Sequence, residues 1–489
     1  MENSLTQSRK NKLDYILSQH KKPYPERYQV NCELKDAKDL PDGTRDVRLA
    51  GRIVLMRKMG SLSFVKIRDV GGSIQIAVKR DLLGQEGYDF FKKAFDLGDF
   101  IGACGEMFTT KTGEKTLRAQ EITFLGKALR PLPEKYHGMT DTENRFRQRY
   151  LDLIMNEEVQ KKFLLKFSFI REVRRYLEDR GYIEIETPVL LDKASGAAAR
   201  PFVSHHNALD MDVYLRIAPE TYLKRAIVGG FTKVFEFARC FRNEGMDASH
   251  LQDFTMLEGY CAYYNYKDNM VFLQDMLCSV IQKLFGDTKI ETDGNVIDFA
   301  GQWPVVTFRD LILQDCGIDI SLCQSSAQLL EEIRARNIRL ESETELSVLG
   351  RGNLIDLLYK KVSRPRLISP TFLVEHPKAL SPLARANDEN PDIVDRFQLV
   401  INGAEVINAY SELVDPVDQK NRLMEQARLK AVGDDEAMVM DDDYIRAMEY
   451  GMPPISGWGM GVDRMLQVLL GEKNIRELIL FSLMRPSES

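Results

Sequence analysis

The sequence predicts a mixed α+β chain, a small β-barrel followed by a larger domain that combines strands and helices. Three observations carry that prediction. At 489 residues the chain is too long for one ordinary core, so two or three domains are expected. From about residue 47 to 130, short apolar runs are cut by glycine turns. Beyond them, helical spacing and strand alternation mix to the C-terminus.

Residues 1–46 read as an N-terminal helical extension, mixed and partly basic, with helical spacing in its first half and a loop at Pro41-Asp42-Gly43. Such a charged helix reads as a solvated face, with weak contact to a nucleic-acid backbone as the alternative. In the 47–130 segment, Ser73-Ile74-Gln75-Ile76-Ala77-Val78 alternates with period two, the mark of a strand with one buried face. Five such strands suit a barrel of the OB type, a common binder of single-stranded nucleic acid, and leave any other small barrel equally open. The prolines of KALRPLPEKYHG read as a linker into a domain spanning 131–489. There Phe163, Phe167, Ile170, Val173 and Leu177 recur at helical spacing before Gly181. Ile183 and Ile185 alternate with Glu184 and Glu186 until Pro188 ends the strand. Residues 305–365 read as a helical insertion.

Composition bounds the function classes. A net charge of -6 excludes a uniformly basic coat, though not a local basic patch. No apolar run of about 20 residues could span a bilayer, and the N-terminus lacks the apolar core of a signal peptide. The seven cysteines include no Cys-x-x-Cys pair, and Cys316 and Cys323 are badly spaced for a zinc clip. Free thiols in a reducing cytoplasm, and no membrane partner, are the expectation.

The chemistry concentrates in three stretches. The first, FEFARCFRNEGMDASHLQDFTMLEGYCAYY, reads as two strands flanking a polar loop. Residues two apart share a strand face, which groups Arg242 with Glu244 and Phe254 with Glu258 and Tyr260. A guanidinium, carboxylates and aromatic rings on one surface suit nucleotide activation, because the guanidinium forks onto phosphate and a ring stacks on adenine. An edge hairpin with solvated charges is the plainer alternative. In ISGWGMGVDRMLQVLLG, glycines 457, 459 and 461 permit close backbone approach before a helix near Asp463-Arg464. The spacing is not a Rossmann fingerprint, and Arg464 in a first helical turn calls for a compensating partner. In GAEVINAYSELVDP, Asn408, Tyr410 and Glu412 alternate and could together hold an amine, or form a polar surface strand. His205 and His206 are adjacent and read as structural, and no Ser-His-Asp or Cys-His arrangement competes.

Together these stretches resemble motifs 2 and 3 and the amino-acid pocket of class II lysyl-tRNA synthetases. SGAAARPFVSHHNALDMDVYLRIAPETYLKRAIVGG, LSPLARANDENPDIVDRF and ILFSLMRP extend the likeness, and the helix and strand ending at Pro188 are similar to motif 1, the family's dimer interface. The resemblance implies an anticodon-binding OB domain, and a catalytic domain built on an antiparallel sheet flanked by helices. It implies a homodimer that takes lysine, ATP and tRNA. Arg242 would hold the α-phosphate and the lysine carboxylate. Phe254 and Arg464 would sandwich adenine, with Glu244 on the adenine edge. Glu220 and the backbone near Gly196 would bind the α-ammonium, and Glu412 with Tyr260 the ε-ammonium. Asn408, Glu258 and Tyr410 would complete that pocket. Arg57, Phe64, Gln75 and Glu114 match anticodon readers of a splayed, U-rich loop.

The chain also departs from the family pattern. The motif 2 arginine that grips the γ-phosphate is Ser249, beside His250, a loss worth roughly 1.5–3 kcal/mol of ATP binding. Lys233 or His250 could compensate. Of the two glutamates that hold magnesium, Glu405 matches one and Gln398 replaces the other, so the expected metal ligands are Glu405 and the amide oxygen of Gln398, with one charge fewer. Two pocket glycines are Ile407 and Ala409, expected to add bulk beside the amino acid, and Tyr410 stands for a phenylalanine. These departures keep two alternatives open: a paralogue that ligates lysine or an analogue to a non-tRNA acceptor, and a non-catalytic tRNA-binding protein.

Overall fold

The computed structural model describes residues 2–133, 141–193, 195–197, 199–341, 346–431 and 438–486. The chain divides into two compact units, Met1–Gln160 and Lys161–Ser489.

The first unit opens with helix α1 (Glu2–Ser18) and is centred on a closed barrel of β1 (Val47–Met59), β2 (Leu62–Arg68), β3 (Ser73–Lys79), β4 (Phe100–Thr109) and β5 (Lys115–Gly126), in the order β1-β2-β3-β5-β4. Closure removes every free sheet edge. Alternation sends Val65, Ile67, Ile74 and Ile76 into the barrel core, all buried. Helix α2 (Arg80–Ala94) joins β3 to β4 and seats Tyr88, Phe91 and Ala94 in the same core. The sequence hides this helix, because Gly84 at φ +74° kinks it. The expected linker starts late. Lys127 is buried and donates to Asp96 and Asp99, while residues 134–138 of that stretch lie outside the described residues.

The second unit is built on one eight-stranded sheet. Its strands are β6 (Ile183–Glu184), β7 (Lys233–Phe241), β8 (Asp253–Ala262), β9 (Val305–Thr307), β10 (Thr371–Pro377), β11 (Ile393–Ile401), β12 (Ala404–Ser411) and β13 (Ile455–Gly461). The order is β9-β10-β11-β12-β13-β8-β7-β6, antiparallel except at its two ends. The helices that matter here are α3 (Glu157–Glu178), α4 (Glu220–Val228), α5 (Tyr266–Phe285) and, after β13, α6 (Val462–Leu470). A large apolar cluster takes side chains from one face of the sheet together with Val173 and Leu177 of α3 and Leu273, Met276, Leu277 and Val280 of α5. In α3 the expected apolar stripe is incomplete. Phe167 is half exposed, and Phe169 takes a core position instead. The strand expected from Ile183 to Pro188 is only two residues long.

The 305–365 segment is helical at Phe308–Cys316, Ser326–Ala335 and Arg351–Leu358. Its first three residues, however, are strand β9, parallel to β10 in the main sheet. The helices close their own small core around Leu329, Leu354, Leu358 and Tyr359.

Candidate active site

The opposite face of the central strands lines a cavity of about 400 Å³, within the usual size for a small-molecule site. Strands β7 and β8 pair in a register that sets Cys240 opposite Phe254 and Val234 opposite Tyr260. Strand β13 continues the sheet, with Gly457 opposite Tyr260 and Gly459 opposite Glu258. The glycines keep this floor low. A Cβ on Gly457 would collide with the Tyr260 ring and with Glu412 Oε1.

Gly196, Glu220, Arg242, Glu244, His250, Phe254, Glu258, Tyr260, Glu405, Asn408, Tyr410 and Arg464 all line this cavity. Strand parity does not group Arg242 with Glu244, however, because β7 ends at Phe241. The Arg242 N–H still donates to Gln252 C=O at 2.8 Å, and its guanidinium lies over Phe254, 5.1 Å from the ring centroid. Glu244 belongs to the loop, where Oε1 accepts from the Arg200 N–H at 3.3 Å. Arg464 sits in the first turn of α6 and donates to the Glu405 backbone carbonyl at 3.2 Å, the compensating partner its position requires. Its neighbour Asp463 accepts from Lys166 at 2.5 Å and from the Thr255 N–H at 3.1 Å, which fixes the helix start against β8.

At the far end of β8 the cavity becomes a buried polar box. Gly196 at φ +94° places its backbone against Glu220, 3.4 Å from an ideal Cβ to the Glu220 Cβ. Tyr410 Oη donates to Glu220 Oε1 at 2.8 Å, and Tyr260 Oη to Glu258 Oε2 at 3.1 Å. Burial and the neighbouring Glu220 push the Glu258 carboxyl well above the ordinary range. Glu412 is buried behind Gly457 and pairs with Lys224. Lys224 also donates to Glu220 Oε1 at 2.6 Å, and although burial opposes its charge, Glu220 and Glu412 raise its pKa. Sequence reasoning missed Lys224. Its signal was the i, i+4 spacing from Glu220 on α4. Arg396, which also lines the cavity, was overlooked as well.

Ile407 and Ala409 do not crowd this box. They alternate with Asn408 and Tyr410 on β12, and both are buried in the core cluster on the other face. Nor does Lys233 reach the cavity. It lies at the outer end of β7 and donates to the Arg180 carbonyl at 3.1 Å. Ser249 and His250 both bond Asp247 in the exposed loop. Gln398 lies behind Glu405 rather than on the cavity wall. His205 is exposed beside Asp210 and Asp212.

In the barrel, Arg57 pairs with Phe64, Phe64 with Ala77, and Gln75 with Lys66 and Thr116, so Arg57, Phe64 and Gln75 share the face opposite the core. Gln75 Nε2 donates to Thr116 Oγ1 at 2.9 Å. Glu114 stands in the exposed β4–β5 turn. All seven cysteines are free. Among the described residues no helix is long and apolar enough to cross a membrane.

Comparison with known proteins matches this geometry to a class. Residues 141–485 fit the family of class II tRNA synthetases for D, K and N, and residues 47–125 fit an OB-fold nucleic-acid-binding domain. The chain is thus an ATP-using aminoacyl-tRNA synthetase of class II. It is 43% identical over 488 residues to the lysine–tRNA ligase of Pelotomaculum thermopropionicum, covering 99% of this chain and 96% of that protein. It is 46% identical over 459 residues to that of Aquifex aeolicus, covering 93% and 76%, and 44% identical over 471 residues to that of Syntrophomonas wolfei, covering 95% and 93%. The chain belongs to the lysine–tRNA ligase family.

Proposed function

We propose that the cavity holds ATP and lysine end to end and joins them as lysyl-adenylate. The lysine carboxylate attacks the α-phosphorus in line, pyrophosphate leaves, and the lysyl group passes to a ribose hydroxyl at the 3′ end of tRNA. The observation that carries this reading is the separation of chemistries along β8. Phe254 and Tyr260 share one face six residues apart, about 20 Å at 3.4 Å per residue. That length separates an aromatic and cationic end from a carboxylate-lined end.

At the first end Phe254 offers adenine a stacking face, Arg464 the opposite face and Glu244 an edge contact. Arg242, whose guanidinium lies over Phe254, stabilises charge developing at phosphorus and holds the lysine carboxylate. His250 reaches toward the outer phosphates. At the second end Gly196 and Glu220 take the α-ammonium. Glu412 and Tyr260 take the ε-ammonium, and Glu258, Asn408 and Tyr410 enclose it. No protein nucleophile is needed, because positioning and electrostatics supply the catalysis.

Magnesium fits this site through Glu405. Its carboxylate faces the cavity, and one or two carboxylates with substrate phosphates make a usual magnesium site. When bound, the ion neutralises phosphate charge. Gln398 does not fit as a second ligand, because its nitrogen faces Glu405. Arg57, Phe64, Gln75 and Glu114 form the anticodon-reading surface of the barrel. Pairing of two copies is supported by the exposed apolar side chains of Phe167, Ile183, Val189 and Leu190, and a cytoplasmic setting by the free thiols.

The test is lysine-dependent exchange between ATP and pyrophosphate, together with charging of lysine tRNA. Exchange with lysine and not with other amino acids is expected, and its loss in Arg242→Ala. Absence of exchange with every amino acid at saturating ATP and magnesium overturns the reading.

A further inference from the structure

Gln398 is held from both sides. It is buried on β11, opposite Asn408. Tyr359 Oη donates to Gln398 Oε1 at 3.2 Å, and Gln398 Nε2 donates to Glu405 Oε2 at 2.9 Å. A carboxylate can only accept, so the amide nitrogen must face Glu405 and the oxygen must face the phenol. Asn408 Nδ2 donates to the other oxygen, Glu405 Oε1, at 2.8 Å. Asn408 is itself oriented by Arg396 Nε, which donates to Asn408 Oδ1 at 2.9 Å. Glu405 is therefore one carboxylate clamped between two amides.

The consequence is electrostatic. Two carboxylates at this separation would need a cation or a shared proton between them, since like charges so close cannot both stay ionised. An amide and a carboxylate need neither. The Gln398 N–H group also turns the positive end of its dipole toward the space where a bridging cation would sit. A cation held by both residues would require oxygen from each, and the Gln398 oxygen is turned away from Glu405 toward Tyr359.

We propose that Gln398 replaces a metal ligand by a fixed hydrogen bond, so that the nucleotide site takes up a single divalent cation, held by Glu405 and the phosphates, and lacks the further one that an acid pair would bind. The inference rests on reading this cavity as the ATP site.

The experiment counts ions directly. The full-length protein is saturated with lysine and α,β-methylene-ATP and titrated with Mn2+, free Mn2+ being read from its electron paramagnetic resonance signal. The bound nucleotide is measured in parallel by equilibrium dialysis. The wild type should bind one Mn2+ per nucleotide and Gln398→Glu should bind two. Gln398→Met, which removes the clamp without adding charge, should keep the count at one and weaken the ion severalfold. Two or more ions per nucleotide in the wild type overturn the proposal, as does an unchanged count in a folded Gln398→Glu. Failure of the nucleotide to bind at all strikes the ATP-site reading instead.

Discussion

Lys224 and Glu412 form an ion pair with both side chains fully buried, and the same ammonium bonds Glu220 at 2.6 Å. The rings of Tyr260, Tyr410 and Tyr444 surround it at 5.6–6.0 Å. One internal cation thus ties together the two carboxylates proposed to receive the two ammonium groups of lysine. Lys224→Met should destabilise the protein by about 3–5 kcal/mol, because it leaves buried carboxylates without their counter-charge. Urea denaturation measures this, and a loss under about 1 kcal/mol would show that the pair is dispensable.

The Glu258 carboxyl gives lysine binding a pH dependence. Burial and Glu220 hold its pKa well above 4.5, so above that value it retains a proton in the free protein. An arriving ammonium favours the ionised form and expels that proton. Lysine affinity should therefore rise with pH above the ordinary carboxylate range, as the free protein's Glu258 gives up its proton. Calorimetry in buffers of different ionisation enthalpy should report net proton release, and heats independent of buffer would contradict the assignment.

Ser249 lines the cavity and, among the described residues, its side chain hydrogen-bonds within its own loop, to Asp247 and His250. Returning a guanidinium there, as Ser249→Arg, should strengthen ATP binding by roughly 1.5 kcal/mol, or about tenfold. Asp247, held down to about 2 by the Ser249 and His250 hydrogen bonds despite partial burial, would compete for the new arginine. Asp247→Asn in the same chain should then increase the gain. ATP titrations of the single and double variants decide it, and no gain in either counts against phosphate at this position.

Phe64 presents its ring on the outer barrel face beside Arg57. Phe64→Ala should weaken tRNA binding by about 1–3 kcal/mol through lost base stacking, while ATP–pyrophosphate exchange stays at the wild-type rate. Filter binding and exchange run side by side separate the two. A parallel fall in exchange would mean that the change disturbs more than recognition.

Much of this was legible in the chain, and the failures have physical causes. Period-two alternation revealed β3 and the shared face of Phe254, Glu258 and Tyr260, because buried strands write their register into polarity. The same alternation, carried one residue further, assigns Ile407 and Ala409 to the core, yet a pattern match alone had set their bulk beside the amino acid. Arg242 and Glu244 escaped parity because β7 stops at Phe241, and strand ends are set by hydrogen bonding that side-chain patterning does not record. Lys224 stayed hidden because a helical lysine ordinarily reads as solvated, and only packing reveals its burial.

Trp458 stands on β13 with its indole against Gly259, where any Cβ would lie 2.5 Å from the ring. Its position in the strand lies between Gly457 and Gly459 of the cavity floor, while the indole itself is buried in the apolar cluster on the other face of the sheet. The only other tryptophan, Trp303, is buried against Phe299 and Phe372. The fold has therefore installed its own optical probe. In Trp303→Phe, the emission of a single indole would report the packing of the apolar cluster directly beneath the cavity floor, without a label.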